Sequence, residues 1–390
     1  MNFSPLSAVK RSSGRAFRAC FPIFLFGGLM TGCGPNDGVK ELEQAKAAYD
    51  VHDVKKAEKL FEKSLSLAPQ DVDRLLYLAR VKIDLGEMSA AKDLTDRAAA
   101  LAGDACDVEM LASQIAWHAK DYKRAAEGFG RLAADASLDA SVRSQAEAGL
   151  GIVEMTCNNI HLARISFLRA IRLDRRNAAA WYHLGLLYRD GFGYLEAALE
   201  QFDIYVRLEV EASPRVQKVQ RTVIPGLKEA ISHAATDRPG ASKRDSSSCS
   251  TALAKADEAW KSGNYKTARQ AYQDAVRADA LSYPATLGLA KAWAKTDTTK
   301  DGLQKAFESY KAACMLSPSA VATFLATGAL AMQLGYVSQA VEIYSRAVAA
   351  NPSSIDAIDG LIRALRKVGG KAKEAQAYQL YREVVAARRK

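Results

Sequence analysis

The sequence predicts an all-α fold, an α-solenoid of about nine helix–turn–helix units arranged in two arrays. The first observation is a spacing, because Ala57, Ala91 and Ala125 stand 34 residues apart and small-then-bulky pairs recur at a similar period almost to the end. The second is composition, because only 10 prolines interrupt an alanine-rich chain, which favours helix over strand. Self-similarity at this period indicates stacked units that bury their apolar faces on one another.

The N-terminal segment has the pattern of an export signal. Residues 1–20 are basic and contain no acid, and residues 21–30 form an apolar run that is too short to span a bilayer. Thr31 and Gly32 then precede Cys33. The segment resembles a bacterial lipoprotein signal peptide, in which the cysteine is acylated and becomes the new N-terminus. The resemblance implies loss of residues 1–32, lipid (palmitate) on Cys33 and a lipidated tether at 33–40.

The lipoprotein resemblance also bears on location. Gly34 follows Cys33, whereas members of that family with aspartate at this place are retained at the inner membrane. The resemblance therefore implies a lipid-anchored protein of the bacterial cell envelope, at the periplasmic face of the outer membrane. Two alternatives stay open, a plain signal peptide with an incidental cysteine and a cytosolic protein with an apolar tail.

The fifth unit carries the repeat pattern most fully. Its first helix has Trp181, Leu184, Gly185 and Tyr188, and Ala198, Phe202 and Tyr205 follow on the second. This pattern resembles the tetratricopeptide repeat (TPR) family, where small residues let two helices approach and bulky ones fill the space to the next unit. The corresponding alanines of the nine units are Ala57, Ala91, Ala125, Ala163, Ala198, Ala268, Ala306, Ala340 and Ala375.

One irregular spacing divides the array. Between Ala198 and Ala268 one alanine is missing, and residues 237–250 are polar and rich in Ser, Pro and Gly, a composition typical of a flexible linker. The predicted organisation is therefore a TPR array at 41–213 (units 1–5), a closing helix at 214–235 interrupted at Pro225 and Gly226, a linker at 236–250, and a TPR array at 251–390 (units 6–9).

The family resemblance implies that the first helices of the units line a concave face that binds partners. Large apolar side chains recur there, and they could anchor an extended peptide or an amphipathic helix. The alternative is that these side chains only pack between units. The candidates for groove binding are Tyr49, Ile83, Trp117, Met155, Tyr182, Trp260 and Met332.

One TPR subclass holds a peptide's terminal carboxylate with lysines and asparagines. Lys46 and Arg80 have suitable charge, but the matching asparagines are missing, so this mode is not favoured.

Other classes of function find little support. The sequence has no catalytic or phosphate-binding motif, its histidines are scattered, and only His118, beside Trp117, forms a pair worth inspection. The cysteines lack CxxC spacing, so no metal site is expected, and no cofactor is predicted. The net charge of +10 shows no focused basic face, so nucleic-acid binding is not expected.

The sequence thus predicts a non-enzymatic, membrane-anchored TPR scaffold lipoprotein that mediates protein–protein interactions in the bacterial cell envelope, during assembly, secretion or envelope maintenance. It resembles pilus-assembly pilotins and outer-membrane assembly subunits in this broad sense. A carrier of glycans or small ligands is the alternative, and an enzyme with an unrecognised site is a third class. The partner, the oligomeric state and any disulfide among Cys106, Cys157, Cys249 and Cys314 stay open.

Overall fold

A computed structural model describes residues 38–102, 105–209, 213–236 and 245–387. The predicted signal peptide, Cys33 and all but the last residues of the tether lie outside this part of the chain. Within it, no helix is long and apolar enough to cross a membrane.

The described residues are almost entirely helical, and nine antiparallel helix pairs succeed one another, which confirms the predicted α-solenoid. In the first three pairs and the last four, the first helix contacts its own second helix, and the second helix contacts the first helix that follows it. The nine pairs are α1 (Val39–Asp50) with α2 (Val54–Leu67), α3 (Val72–Asp84) with α4 (Met88–Ala102), α5 (Cys106–His118) with α6 (Tyr122–Ala134), α7 (Ala140–Thr156) with α8 (Ile160–Leu173), α9 (Ala178–Leu186) with α10 (Leu195–Leu208), α13 (Ser246–Lys261) with α14 (Tyr265–Ala278), α15 (Tyr283–Thr296) with α16 (Lys300–Leu316), α17 (Val321–Leu334) with α18 (Val337–Ala350), and α19 (Ile355–Val368) with α20 (Ala372–Ala387).

The segment between the fifth and sixth pairs is helical too. It comprises α11 (Pro214–Lys218), a π-helical turn (Val219–Val223) and α12 (Ile224–Thr236). Pro225 falls in the first turn of α12, where its missing N–H is tolerated. The interruption expected at Pro225 is therefore a change to π-helix just before it.

The predicted linker is shorter at its C-terminal end than the serine-rich composition suggests. Residues 246–250 form the first turns of α13, because Asp245 caps the helix: its Oδ1 accepts from the backbone N–H of Ser248 at 2.9 Å. Cys249 is buried within this turn region. The predicted division into two arrays stays a prediction.

Tight turns within the pairs share one backbone requirement. The residue that precedes the second helix's cap is left-handed in several units, with φ of +81° at Gly86, +77° at Gly263 and +81° at Gly335. Lys120 (φ 63°) and Asn158 (φ 61°) adopt the same conformation with a side chain, which costs backbone energy that glycine avoids.

Close helix contacts follow the predicted small–bulky rule. A Cβ placed on Gly185 would lie 3.0 Å from the Phe202 ring, and one on Gly288 would lie 2.3 Å from the Tyr272 ring. At these two contacts an aromatic ring of a second helix therefore rests directly on the backbone of a first helix, where only a small residue fits.

The contacts divide the described chain into two compact units. The first unit contains residues up to 158 with 170–181 and 205–217. Its core is continuous from α1 to α5 and includes the fully buried Phe61, Leu75 and Ala79. A buried Arg74 supports the early helices, because its Nη1 donates to the carbonyl oxygen of Ser64 at 2.7 Å.

The second unit contains residues 159–169, 182–204 and the chain from 218 onward. A fully buried Arg164 lies at its interior. Its Nε donates to the hydroxyl of Tyr378 at 2.7 Å and its Nη1 donates to the carbonyl oxygen of Ser345 at 2.9 Å. The guanidinium also lies 4.6 Å from the Phe192 ring centre. Within the described residues no carboxylate contacts Arg164, so neutral oxygens and π faces carry its charge.

Candidate functional site

The first helices of successive pairs contact one another along each unit: α3 meets α5, α5 meets α7, α13 meets α15, and α17 meets α19. We call the surface that they share the first-helix face. Every groove candidate lies on it, near the C-terminal end of its first helix, except Tyr182, which lies near the start of α9. The side chains differ in how deeply this surface buries them.

In the first unit, Tyr49 is engaged by the next repeat. Its hydroxyl donates to Oδ2 of Asp84 at 2.7 Å, across the step from α1 to α3. Burial, together with the charge of Asp84, raises the pKa of Tyr49 well above its usual value, and burial raises the pKa of the Asp84 carboxyl. Ile83, one residue before Asp84, is only 6% exposed in the core. Both groove candidates therefore join neighbouring repeats.

Trp117 repeats this arrangement two units later. Its side chain is 8% exposed, and its Nε1 donates to Oγ1 of Thr156 at the end of α7, at 3.1 Å. Met155 beside it is half-buried. His118 lies edge-on to the Trp117 ring at 4.8 Å, and burial lowers its pKa. The pair packs between repeats and leaves little of the indole for a partner.

The cations suited to a terminal carboxylate already have partners. Lys46 forms an ion pair with Glu43 at 3.0 Å, and Arg80 lies 3.4 Å from Asp107. Both cations also lie over the ring of Tyr77, at 5.3 and 5.6 Å from its centre. Lys46 and Arg80 are thus already engaged within the first unit.

The three groove candidates of the second unit are all half-buried. Trp260 is half-buried and meets Tyr265 edge-on at 4.9 Å, and Met332 is half-buried at the end of α17. Tyr182 packs edge-on against Phe202 at 5.9 Å and also remains half-buried. Leucines of α13, α15 and α17 at matching repeat positions, Leu253, Leu287 and Leu325, are half-buried as well.

Three lysines stand out on this part of the first-helix face. Lys261, Lys291 and Lys295 are exposed, and no described carboxylate pairs with any of them. On the second helices of the same repeats, Arg277 pairs with Asp274 and Lys305 with Asp301, whereas the exposed Lys266 and Lys300 also have no described carboxylate partner. For Lys291 and Lys295 the reason is local, because α15 contains no acidic residue. Lys261 follows Asp257 and Glu258 on α13, but no described ion pair joins it to either.

These lysines were not among the predicted groove candidates, although the sequence held a signal for Lys291 and Lys295. A lysine on a helix is normally offset by an acid three or four residues away, and the sequence around Lys291 and Lys295 has none. It also missed Asp84 and Thr156, whose role depends on the register between repeats.

One histidine of the described chain has a strongly lowered pKa: burial and the charge of Arg164 lower the pKa of His161 to about 3. Its Nδ1 lies 3.5 Å from the Tyr378 hydroxyl, which makes it part of the buried Arg164 cluster. No described group of three His, Cys, Asp or Glu side chains is placed to hold a metal ion.

Models of the tetratricopeptide repeat match three segments of the chain, at 48–115, 149–214 and 253–318, which together cover just over half of it. Among curated proteins, none matches the sequence.

Several solved structures are similar to this chain. A thermophilic TPR protein of Thermus thermophilus, TTC0263, is 18% identical with a TM-score of 0.40, over 49% of this chain and 99% of that chain. PilF of Pseudomonas aeruginosa is 16% identical with a TM-score of 0.37, over 52% and 93%. The Cut9–Hcn1 hetero-tetramer of the APC/C is 14% identical with a TM-score of 0.35, over 90% of this chain and 80% of that chain. With TM-scores this low, these likenesses carry no argument about function.

Proposed function

We propose, on the premise that the chain belongs to the tetratricopeptide repeat family, that it is a membrane-anchored scaffold that holds a protein partner in the bacterial cell envelope. TPR arrays are suited to protein–protein interaction, because their first helices present a continuous row of side chains along which a peptide can lie. Assembly, secretion or maintenance of the envelope would then depend on what the scaffold holds.

The observation that supports binding most strongly is the accessible first-helix face of the second unit. It combines half-buried apolar side chains, among them Trp260 and Met332, with exposed lysines that have no described partner. Recessed apolar anchors bordered by charge are typical of surfaces that bind peptides. In the first unit Ile83 and Trp117 are buried, whereas Tyr49 and Met155 are half-buried.

Paired measurements of binding and stability test this proposal. The double variant Trp260→Ala/Met332→Ala should lose most of the partner recovered by affinity capture from solubilised envelopes. Trp117→Ala should instead lower the melting temperature, because it removes a buried indole and its hydrogen bond to Thr156. At a temperature where Trp117→Ala is folded, its partner recovery should match that of the wild type. Equal recovery from the Trp260→Ala/Met332→Ala variant would contradict the proposal.

The anchor rests on sequence alone. The apolar run at 21–30 and the sequence Thr31-Gly32-Cys33 support acylation of Cys33 and removal of residues 1–32. Several acyl chains on one cysteine hold a protein at a bilayer far more stably than a single chain. Mass spectrometry of the mature N-terminus tests the anchor: lipid on Cys33 is expected, and an unmodified Cys33 or a retained Met1 would contradict it. Cys33→Ala should release the protein from membranes.

A further inference from the structure

We propose that the first-helix face of the second unit recognises an acidic peptide segment, through Lys261, Lys291 and Lys295. The proposal rests on the scaffold function above and names the chemistry of the partner. Its basis is that these three exposed cations lie on helices with half-buried apolar side chains and have no described carboxylate partner. Unpaired lysines around recessed apolar side chains leave a positive field that favours an anionic ligand.

The three lysines form a geometrically coherent set. Lys291 and Lys295 are four residues apart on α15, so their Cα atoms lie about 6 Å apart along the axis. Lys261 and Lys295 occupy equivalent positions at the ends of α13 and α15, which contact each other, so about 8–10 Å separates those helices. An extended peptide rises about 3.3 Å per residue. Carboxylates two residues apart on such a peptide therefore match the interval between Lys291 and Lys295. Carboxylates three residues apart match the interval between α13 and α15.

Apolar contacts would run beside the charges. Leu253, Trp260, Leu287 and Leu325 are half-buried on the same helices. A hydrogen bond of 2.8 Å between the hydroxyls of Tyr283 and Thr323 ties the starts of α15 and α17 together. The row of first helices is thus braced before a ligand arrives, which lowers the ordering cost of binding.

The contacts of Lys295 hold its ammonium group in a position to bind a carboxylate. Its Nζ lies 5.4 Å from the ring centre of Tyr265, at the start of α14, and Trp260 packs on the same ring. An aromatic ring under an ammonium restrains the side chain without neutralising it. Lys295 is therefore held in place and still free to pair with a carboxylate.

A peptide fits these observations better than a lipid surface. The apolar side chains are recessed to half-burial while the lysines around them are exposed. Side chains projecting from an extended peptide can reach both, whereas a planar layer of headgroups would meet the lysines and leave the recessed leucines uncovered. Anionic vesicles therefore serve as the competing arm of the test.

The test uses the mature chain and a fluorescent peptide of three Glu-Leu-Glu-Ala-Leu repeats, whose glutamates alternate between spacings of two and three residues. A Gln-Leu-Gln-Ala-Leu peptide is its neutral match. The Glu peptide should bind, and the Gln peptide should bind at least about tenfold more weakly. Lys291→Glu/Lys295→Glu should weaken binding of the Glu peptide by a similar factor. The matched control is Lys266→Glu/Lys300→Glu, which makes the same charge change at exposed second-helix lysines and should alter binding less than about threefold.

Three results would overturn the proposal, provided that circular dichroism shows all variants folded. They are equal binding of the Glu and Gln peptides, equal weakening by both double variants, and lysine-dependent binding to anionic vesicles without binding of the Glu peptide. The scaffold function fails separately. If Trp260→Ala/Met332→Ala abolishes partner recovery while Lys291→Glu/Lys295→Glu leaves recovery and peptide binding unchanged, the scaffold stands and the acidic partner falls.

Discussion

Replacement of Gly288 by alanine should destabilise the protein, although alanine is the better helix former. A Cβ at this position would lie 2.3, 2.5 and 2.6 Å from three atoms of the Tyr272 ring. Ordinary carbon contacts begin near 3.5 Å, so the ring would have to retreat by about 1 Å. The ring is not free to do so, because Tyr272 is 5% exposed and its hydroxyl donates to Oδ1 of Asp257 at 2.6 Å.

The magnitude follows from opposing effects. Overpacking a dense core costs about 1–3 kcal/mol, and strain on the hydrogen bond to Asp257 adds to this cost. Alanine in place of glycine within a helix contributes about 1 kcal/mol in the other direction. The net change in the free energy of unfolding should be a loss of about 1–3 kcal/mol.

Gly130→Ala is the matched control. Gly130 lies inside α6, and nothing stands within 4 Å of the Cβ position, so this variant should gain about 0.5–1 kcal/mol from helix propensity alone. Urea unfolding followed by circular dichroism measures both variants. If Gly288→Ala raised the unfolding midpoint as Gly130→Ala does, the close contact between ring and backbone would be refuted.

The other predictions concern a turn, a buried histidine and a buried arginine. Lys120→Gly should raise stability by about 1 kcal/mol and Gly335→Ala should lower it by about as much, because both positions require left-handed backbone; a thermal melt of each variant checks this. Burial and the charge of Arg164 lower the pKa of His161 from 6.5 to about 3, so below pH 6.5 only the unfolded chain binds this proton. The free energy of unfolding should therefore fall by about 1.4 kcal/mol for each unit that the pH is lowered between those values, and His161→Gln should flatten the slope of urea midpoints against pH. Tyr378→Phe should lower the free energy of unfolding by about 2 kcal/mol or more, and by more than Arg164→Met does. The first variant leaves a buried cation without its hydrogen-bond partner, whereas the second removes the cation; equal urea midpoints for the two variants would contradict this.

Much of the fold could be predicted because its signals are local. Ala57, Ala91 and Ala125 are all fully buried, as close helix crossings require, and their spacing alone predicted the repeat. Turn conformation was harder to predict, because Lys120 and Asn158 adopt left-handed backbone that is usually expected of glycine. The linker end was misjudged for a similar reason, since a single cap at Asp245 turned a serine-rich run into helix.

The positions of the candidate residues along the first helices were predictable, but the burial of their side chains was not. The period placed Ile83, Trp117 and Trp260 at matching points of the first helices, yet Ile83 and Trp117 are buried and Trp260 is half-buried. Burial depends on what the neighbouring repeat presents, such as Thr156 opposite Trp117, and the repeat pattern does not specify that residue. The Arg164 cluster joins residues more than 180 apart in sequence, beyond the reach of any local pattern.

Site-specific photocrosslinking in native membranes tests the central claim, that a protein partner lies on the first-helix face of the second unit. A photoreactive amino acid at Ala329, exposed on α17, should form adducts with a protein partner, and one at Gln270, exposed on the second helix α14, should not. Mass spectrometry measures the ratio of the partner adducts formed at the two positions. A large excess of partner adducts at Ala329 is expected, and equal yields at the two positions, or an excess at Gln270, would contradict the claim.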